Sequence, residues 1–260
     1  MEWIRITPKN LETEHICCAI AGNRDCGVAA KKAWLKERLK EGLVFLKADV
    51  RGKCFIEYLP AEMAWAPIEA EGYMFIDCFW VAGALKGHGY SGLLLKECIR
   101  DSKERGKRGL CIVSSAGKKK KPFAIESGYL KHQGFVIADE AEPDFALWYL
   151  PFEKPADKKE KGEGTEGANP RFRVGAKHPG VEEKGFVLYY THQCPFSEKY
   201  ALLLEEEAKE NGVPFRRLHI STREEAQNVP APSAGWALFR DGEFLTNEIL
   251  SPKKFADMLK

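Results

Sequence analysis

No apolar run in this 260-residue chain approaches the roughly 20 residues needed to cross a bilayer. The opening MEWIRITPKN also lacks the basic start and apolar core of a secretory signal. Charge of one sign is missing as well: Lys+Arg 40 against Asp+Glu 38 leaves a formal net charge of +2. No broad field then draws the chain to nucleic acid or an anionic membrane. Eight cysteines are present, yet they form no disulfide lattice. His15, Cys17, Cys18 and Cys26 crowd one segment, but no second CxxC completes a zinc pattern, so no metal site is expected. The phosphate-binding pattern GxxxxGK[ST] does not occur. These absences lead to the expectation of a soluble, cytoplasmic protein with no nucleic-acid or membrane partner.

What is present is ordinary globular material, 44% hydrophobic, of a length that suits about two domains. The stretch EKPADKKEKGEGTEGANP carries almost nothing apolar and reads as a hydrated linker. The chain therefore divides into 1–152, a linker at 153–170, and 171–260. In the first part, WIRIT reads as a strand and Thr7-Pro8 as the start of a helical segment to about Ile20. A helix follows from Val28 to Lys40. Strands are expected at Leu43–Ala48, Lys53–Tyr58 and Gly72–Val81, then a helix at Ser91–Arg105 and a strand at Leu110–Val113. A helix over Phe123–His132 and strands at Phe135–Ile137 and Phe145–Leu150 complete it. The pattern predicts a mixed α/β (α+β) domain with a mostly antiparallel sheet and helices on both faces. The second part alternates strand, helix and strand, then ends in two strands and a helix, with Asp241-Gly242 as a hairpin turn.

One stretch carries chemistry. The apolar strand ending at Val81 enters a turn containing Gly87, Gly89 and Gly92, which opens directly onto an amphipathic helix. Glycines let backbone approach a bulky anion, and the first helical N–H groups have no intrahelical partners. With the helix dipole they suit phosphate, and Lys86 adds a positive charge at the mouth. Nucleotides, dinucleotides and coenzyme A could each use this arrangement. The position of the turn, about 75 residues in and without a clean βαβ opening, fits a dinucleotide poorly.

The segment Lys86-Gly87-His88-Gly89-Tyr90-Ser91-Gly92 resembles the pyrophosphate loop of the GNAT acetyltransferase superfamily, Gln/Arg-x-x-Gly-x-Gly/Ala. Lys86 stands in the basic slot, Gly89 in the glycine slot and Ser91 in the small-residue slot; Lys for Arg keeps the charge and loses the planar fork. Gln133-Gly134-Phe135 is similar to the Gly-Phe junction near the end of such domains, so the resemblance covers about 3–150. It implies acetyl-CoA as cofactor, its pantetheine arm held between two splayed strands by the backbone of Phe79, Trp80 and Val81. Amides of Gly87, His88, Gly89, Tyr90, Ser91 and Gly92 would hold the diphosphate. It further implies direct attack by an unprotonated amine, with backbone donors stabilising the developing oxyanion. The proton carriers are open. The slot for a family Tyr is Leu130 here; Tyr129, one position and about 100° of helix earlier, is the catalytic acid candidate, although that rotation puts the family's usual acid position in doubt. Glu57 and Asp77 are candidate bases because each is an acid in a strand beside the expected cleft. Glu69 is a loop candidate, and Ser114 or Ser115 could hold a water. Lys118–Lys121 could attract an acidic acceptor, although a solvated loop is the plainer reading.

Cys194 stands at the joint of a strand and a helix in Tyr189-Tyr190-Thr191-His192-Gln193-Cys194-Pro195-Phe196-Ser197, where amides and dipole favour thiolate. The segment is similar to monothiol thioredoxin/glutaredoxin-like sites, with Ser197 in place of the resolving cysteine and Pro230 or Pro232 for the cis-proline slot. Disulfide cycling within the motif is not expected. A GNAT domain, a charged linker and this small domain together resemble the acetyltransferases with a YoaP-like C-terminal domain. The resulting reading is an N-acetyltransferase acting on a small-molecule amine or an exposed amino group, with room for a homodimer. The rival is a redox or thiol-binding protein working through Cys194, with the first domain as a CoA-binding regulator.

Overall fold

The computed structural model describes residues 2–18, 20, 22, 25–117, 124–153 and 168–259. In chain order the elements are β1 (Trp3–Arg5), α1 (Cys26–Lys40), β2 (Val44–Ala48), β3 (Cys54–Pro60), β4 (Ile68–Glu69) and β5 (Tyr73–Val81). Next come α2 (Tyr90–Glu104), β6 (Gly109–Ser115), α3 (Ser127–His132), β7 (Val136–Ala141), β8 (Phe145–Pro151), β9 (Arg171–Phe172) and α4 (Val174–Lys177). The last are β10 (Phe186–Tyr190), α5 (Pro195–Glu210), β11 (Phe215–His219), α6 (Arg223–Gln227), β12 (Trp236–Arg240), β13 (Glu243–Thr246) and α7 (Pro252–Leu259). No helix among the described residues is long and apolar enough to cross a membrane.

Contacts group the chain into two compact units. The first holds Met1–Arg5, Gly42–Ala64 and Ile68–Phe172. Its sheet runs β1-β2-β3-β5-β6-β8-β7, mixed and mostly antiparallel as the alternation predicts, with β5 and β6 the parallel pair. Alternating Val44, Leu46, Ile56, Tyr58, Met74, Ile76, Leu110, Ile112, Ala146 and Trp148 turn one face into a core. Leu94, Leu95 and Cys98, one stripe of α2, close that face, and Leu130 of α3 joins them. A two-stranded ribbon, β4 with β9, lies outside the main sheet; two-residue strands have no alternation from which to be read.

The second unit holds Ile6–Glu41, Trp65–Pro67 and Arg173–Lys260, so contacts place α1 with the later part of the chain. Its sheet runs β11-β10-β12-β13, with β10 and β11 parallel and the other pairs antiparallel. Ala201, Leu204 and Ala208 of α5 and Phe255 of α7 pack on Phe186, Leu188, Tyr190, Trp236 and Leu238. Asp241 (φ 52°) and Gly242 (φ 95°) make the β12–β13 turn, two left-handed residues that match strand twist. Two expectations fail here. The stretch after Thr7 is a run of turns, because Asn10 Oδ1 accepts from Thr7 N at 2.7 Å and from Thr7 Oγ1 at 3.2 Å and competes with helix. Neither Pro230 nor Pro232 follows a cis peptide bond; among the described residues Glu142-Pro143 is the cis one. The approach to β12 is made by Ala234-Gly235, where Gly235 O accepts from Thr191 N at 3.4 Å and Ser197 Oγ at 3.2 Å.

Candidate active site

Two irregularities open the sheet of the first unit. Strands β5 and β6 pair only over Tyr73–Phe75 and Gly109–Cys111, although β5 continues to Val81 and β6 to Ser115. Past Phe75 that edge of β5 leaves its neighbour, and alternate residues of such an edge turn N–H and C=O outward. On its other edge, β5 pairs Cys78 with Glu57 and Ile76 with Tyr58, so Asp77 is an inserted residue in a bulge. Bulge and splay begin at the same level of β5. Glu57 is fully buried in β3 and Asp77 half-buried in β5, so the structure brings both candidate bases to the place where the strands part.

Beyond Val81 the chain runs through a short 3-10 turn, Gly83–Leu85, and the extended Lys86 into α2. Gly87 (φ +81°) and Gly89 (φ +78°) are left-handed, which lets the chain double back directly before the helix. A Cβ at Gly87, Gly89 or Gly92 would meet nothing within 4 Å. Residues 86–89 are exposed, and Gly89 as N-cap supplies no side-chain cap to the first amides of α2. The turn is therefore open and unplugged, with helix-start N–H groups facing outward. A diphosphate fits such a cradle: no side chain obstructs it, and the donors are uncapped.

Tyr129 joins this turn from α3. Its ring packs edge-on against Phe79, centroids 6.2 Å apart at 77°. Its hydroxyl is buried without a completed hydrogen bond, and the Ser91 hydroxyl is its polar neighbour. Burial pushes this phenol above its ordinary value, with Ser91 opposing in part. Leu130 sits in the core at 1% exposure, so the 100° step aims Tyr129 toward the turn and not away from it. Phe79, Val81, Leu85, Tyr90 and Tyr129 are among the half-buried apolar groups that pack against the sheet core.

The chain is 42% identical to the uncharacterized N-acetyltransferase YoaP of Bacillus subtilis (strain 168), over all of this chain and 98% of that protein. It belongs to the YoaP family of N-acetyltransferases. The YoaP-like family pattern itself matches residues 214–256. Among solved structures, the chain is 16% identical to a GNAT family acetyltransferase from Brucella melitensis in complex with acetyl-CoA. That match covers 63% of this chain and 96% of the other, with a TM-score of 0.37. A ribosomal-protein-alanine N-acetyltransferase from Brucella melitensis is 17% identical over 58% of this chain and 100% of its own, with a TM-score of 0.41.

In this YoaP-family chain the remaining sequence candidates have defined partners. Glu69 is ion-paired with Arg171 across the β4–β9 ribbon. Ser114 Oγ donates to Ile125 O at 2.6 Å. Ser115 Oγ donates to Asp144 Oδ2 at 2.7 Å and accepts from Gly117 N at 2.9 Å. Lys118–Lys121 lie outside the described residues, as does most of the linker.

The second unit presents Cys194 as the N-cap of α5, half-buried and extended. The expected thiolate is not favoured. Burial pushes this thiol up to about 12, outweighing the Phe196 amide and the Lys31 ammonium that pull it down. Ser197 is buried and donates to Gly235 O. Beside them, Glu198 Oε2 accepts from Tyr190 Oη at 3.0 Å and His192 Nε2 at 2.9 Å. Burial would raise the Glu198 carboxyl, but these bonds and the Arg217 charge hold it below the usual range.

Proposed function

We propose that this chain is an acetyl-CoA-dependent N-acetyltransferase that passes acetyl to the amine of a small molecule or an exposed amino group. The observation that carries the reading is the open, uncapped start of α2 behind Gly87 and Gly89, beside the point where β5 leaves β6. Amides of Gly87 to Gly92, with Lys86, would hold the diphosphate; the free edge of β5 from Phe79 to Val81 would pair with the pantetheine amides. When bound, the cofactor supplies an activated acetyl thioester. Tyr129 holds a proton on a buried hydroxyl next to Ser91 and Phe79, where it can meet a leaving thiolate. Glu57 and Asp77, level with the bulge of β5, would receive the proton of the incoming ammonium, directly or through water. Position and orientation then account for most of the rate.

We further read the second unit as thioredoxin-like. The parallel β10–β11 pair, the antiparallel β12–β13 hairpin and a cysteine capping α5 support this. The function is tested by incubating the chain with acetyl-CoA and a panel of amines and metabolites. Acceptor-dependent release of free CoA, matched by an acetyl mass gain on one amine, is expected. CoA release that no amine accelerates would overturn the reading.

A further inference from the structure

The gap where β5 leaves β6 has two faces, and the bulge at Asp77 decides which β5 side chains stand on each. Ile76 and Phe79 lie opposite Tyr58 and Ile56, which belong to the core under α2; Cys78 and Trp80 lie opposite Glu57 and Phe55, which do not. Directly opposite residues share a face, so Cys78 and Trp80 turn away from the core that Phe79 and Val81 join. Without the inserted residue the parity of β5 would reverse past Ile76, and Trp80 would stand on the core face in place of Phe79. On β6, Leu110 and Ile112 belong to the core, which puts Val113 on the far face with Cys78 and Trp80. Burial follows the same line. Strand β5 passes from buried to half-buried at Asp77, and Val113 is the half-buried residue of β6. Tyr129 touches Phe79, so it attends the gap from the core side, where Leu94, Leu95 and Leu130 are packed.

We propose that Trp80 determines acceptor specificity and that the acceptor is a primary amine carried on an apolar, ring-sized body. The inference rests on the acetyl-transfer reading above. With the core side packed, a thioester held in the gap is reached by the amine from the far face, past Trp80 and Cys78 on one bank and Val113 on the other. From Asp77 to Val81 and from Ile112 to Ser115 the two strands carry no basic residue. A carboxylate or phosphate on the acceptor finds no partner on them, and stripping its water costs affinity. The acids suit an ammonium instead: Asp77 in the bulge, and Glu57 as the cross-strand partner of Cys78. An indole serves both parts of such a molecule. Its face buries the apolar body, and its ring quadrupole attracts the positive nitrogen.

The test is steady-state kinetics of the full chain with acetyl-CoA and phenethylamine, spermidine, lysine or a short peptide with a free N-terminus. Phenethylamine should give the largest kcat/KM, by about tenfold or more. Trp80→Ala should raise the KM for phenethylamine about tenfold or more, whereas Trp80→Phe, which keeps a ring, should stay within about threefold. The acetyl-CoA Kd should move by less than about twofold in both variants, because the cofactor meets the backbone of β5 and not this ring. A preference for spermidine, lysine or the peptide, or a phenethylamine KM that Trp80→Ala leaves unmoved, overturns the proposal and leaves acetyl transfer standing. CoA release that no amine accelerates overturns the acetyl-transfer reading itself, and this proposal with it. If Trp80→Ala fails to fold, the ranking of acceptors by the unmodified chain decides alone.

Discussion

Gly89→Asp is expected to weaken acetyl-CoA binding by about 100-fold or more while the chain stays folded. Two effects add. At φ +78° any Cβ is strained, by about 1–2 kcal/mol. More important, a carboxylate would sit at a helix start whose amides no side chain caps, and would repel a diphosphate held there. Sterics contribute little, because nothing lies within 4 Å of the added Cβ. Gly89→Ala separates the two effects, since it carries the strain without the charge; its loss should be about tenfold or less. Calorimetric titration with acetyl-CoA, alongside a thermal melt of each variant, checks the pair. Equal losses for Ala and Asp would mean that the turn matters for shape and holds no anion.

Tyr129→Phe should lower kcat by about 100-fold or more and leave the KM for acetyl-CoA nearly unchanged. The ring that packs on Phe79 is kept, and only the hydroxyl beside Ser91 is lost. The pH dependence has a definite sign. Burial raises this phenol above its normal value of about 10, so the hydroxyl stays protonated through neutral and mildly alkaline pH. The unmodified enzyme should therefore show no loss from Tyr129 between about pH 7 and 9, and the deficit of the variant should be constant over that range. A deficit that shrinks as pH rises would assign the proton to another group.

How far the residues alone disclose this arrangement depends on the kind of signal. Asp241-Gly242 announces its hairpin because few residue pairs tolerate two left-handed positions in succession. The face of α2 is legible from Leu94, Leu95 and Cys98, and its open start from the glycines before it. The bulge at Asp77 is not legible, since it is a matter of register against β3, and alternation along β5 carries no register. The direction of Tyr129 is hidden for a related reason: the 100° between Tyr129 and Leu130 is fixed, but packing decides which of the two enters the core, and that is Leu130. The segment after Thr7 looks helical by composition, but Asn10 takes the Thr7 amide into a local turn. Cys194 is conspicuous, yet Lys31, whose ammonium donates to Gln193 O beside it, comes from a segment far away in sequence. Local motifs are legible where a single residue type is demanded; groupings that tertiary packing makes are not.

The central claim is that main-chain donors between Gly87 and Gly92 bind the diphosphate of acetyl-CoA while the thioester lies along the free edge of β5. Amide hydrogen exchange resolved to single residues, with and without saturating acetyl-CoA, tests it most directly. The account predicts new protection at the amides of Gly87 to Gly92 and along Phe79 to Val81, with little change around Cys194. Protection confined to the segment around Cys194, with the start of α2 exchanging as freely as before, would contradict it.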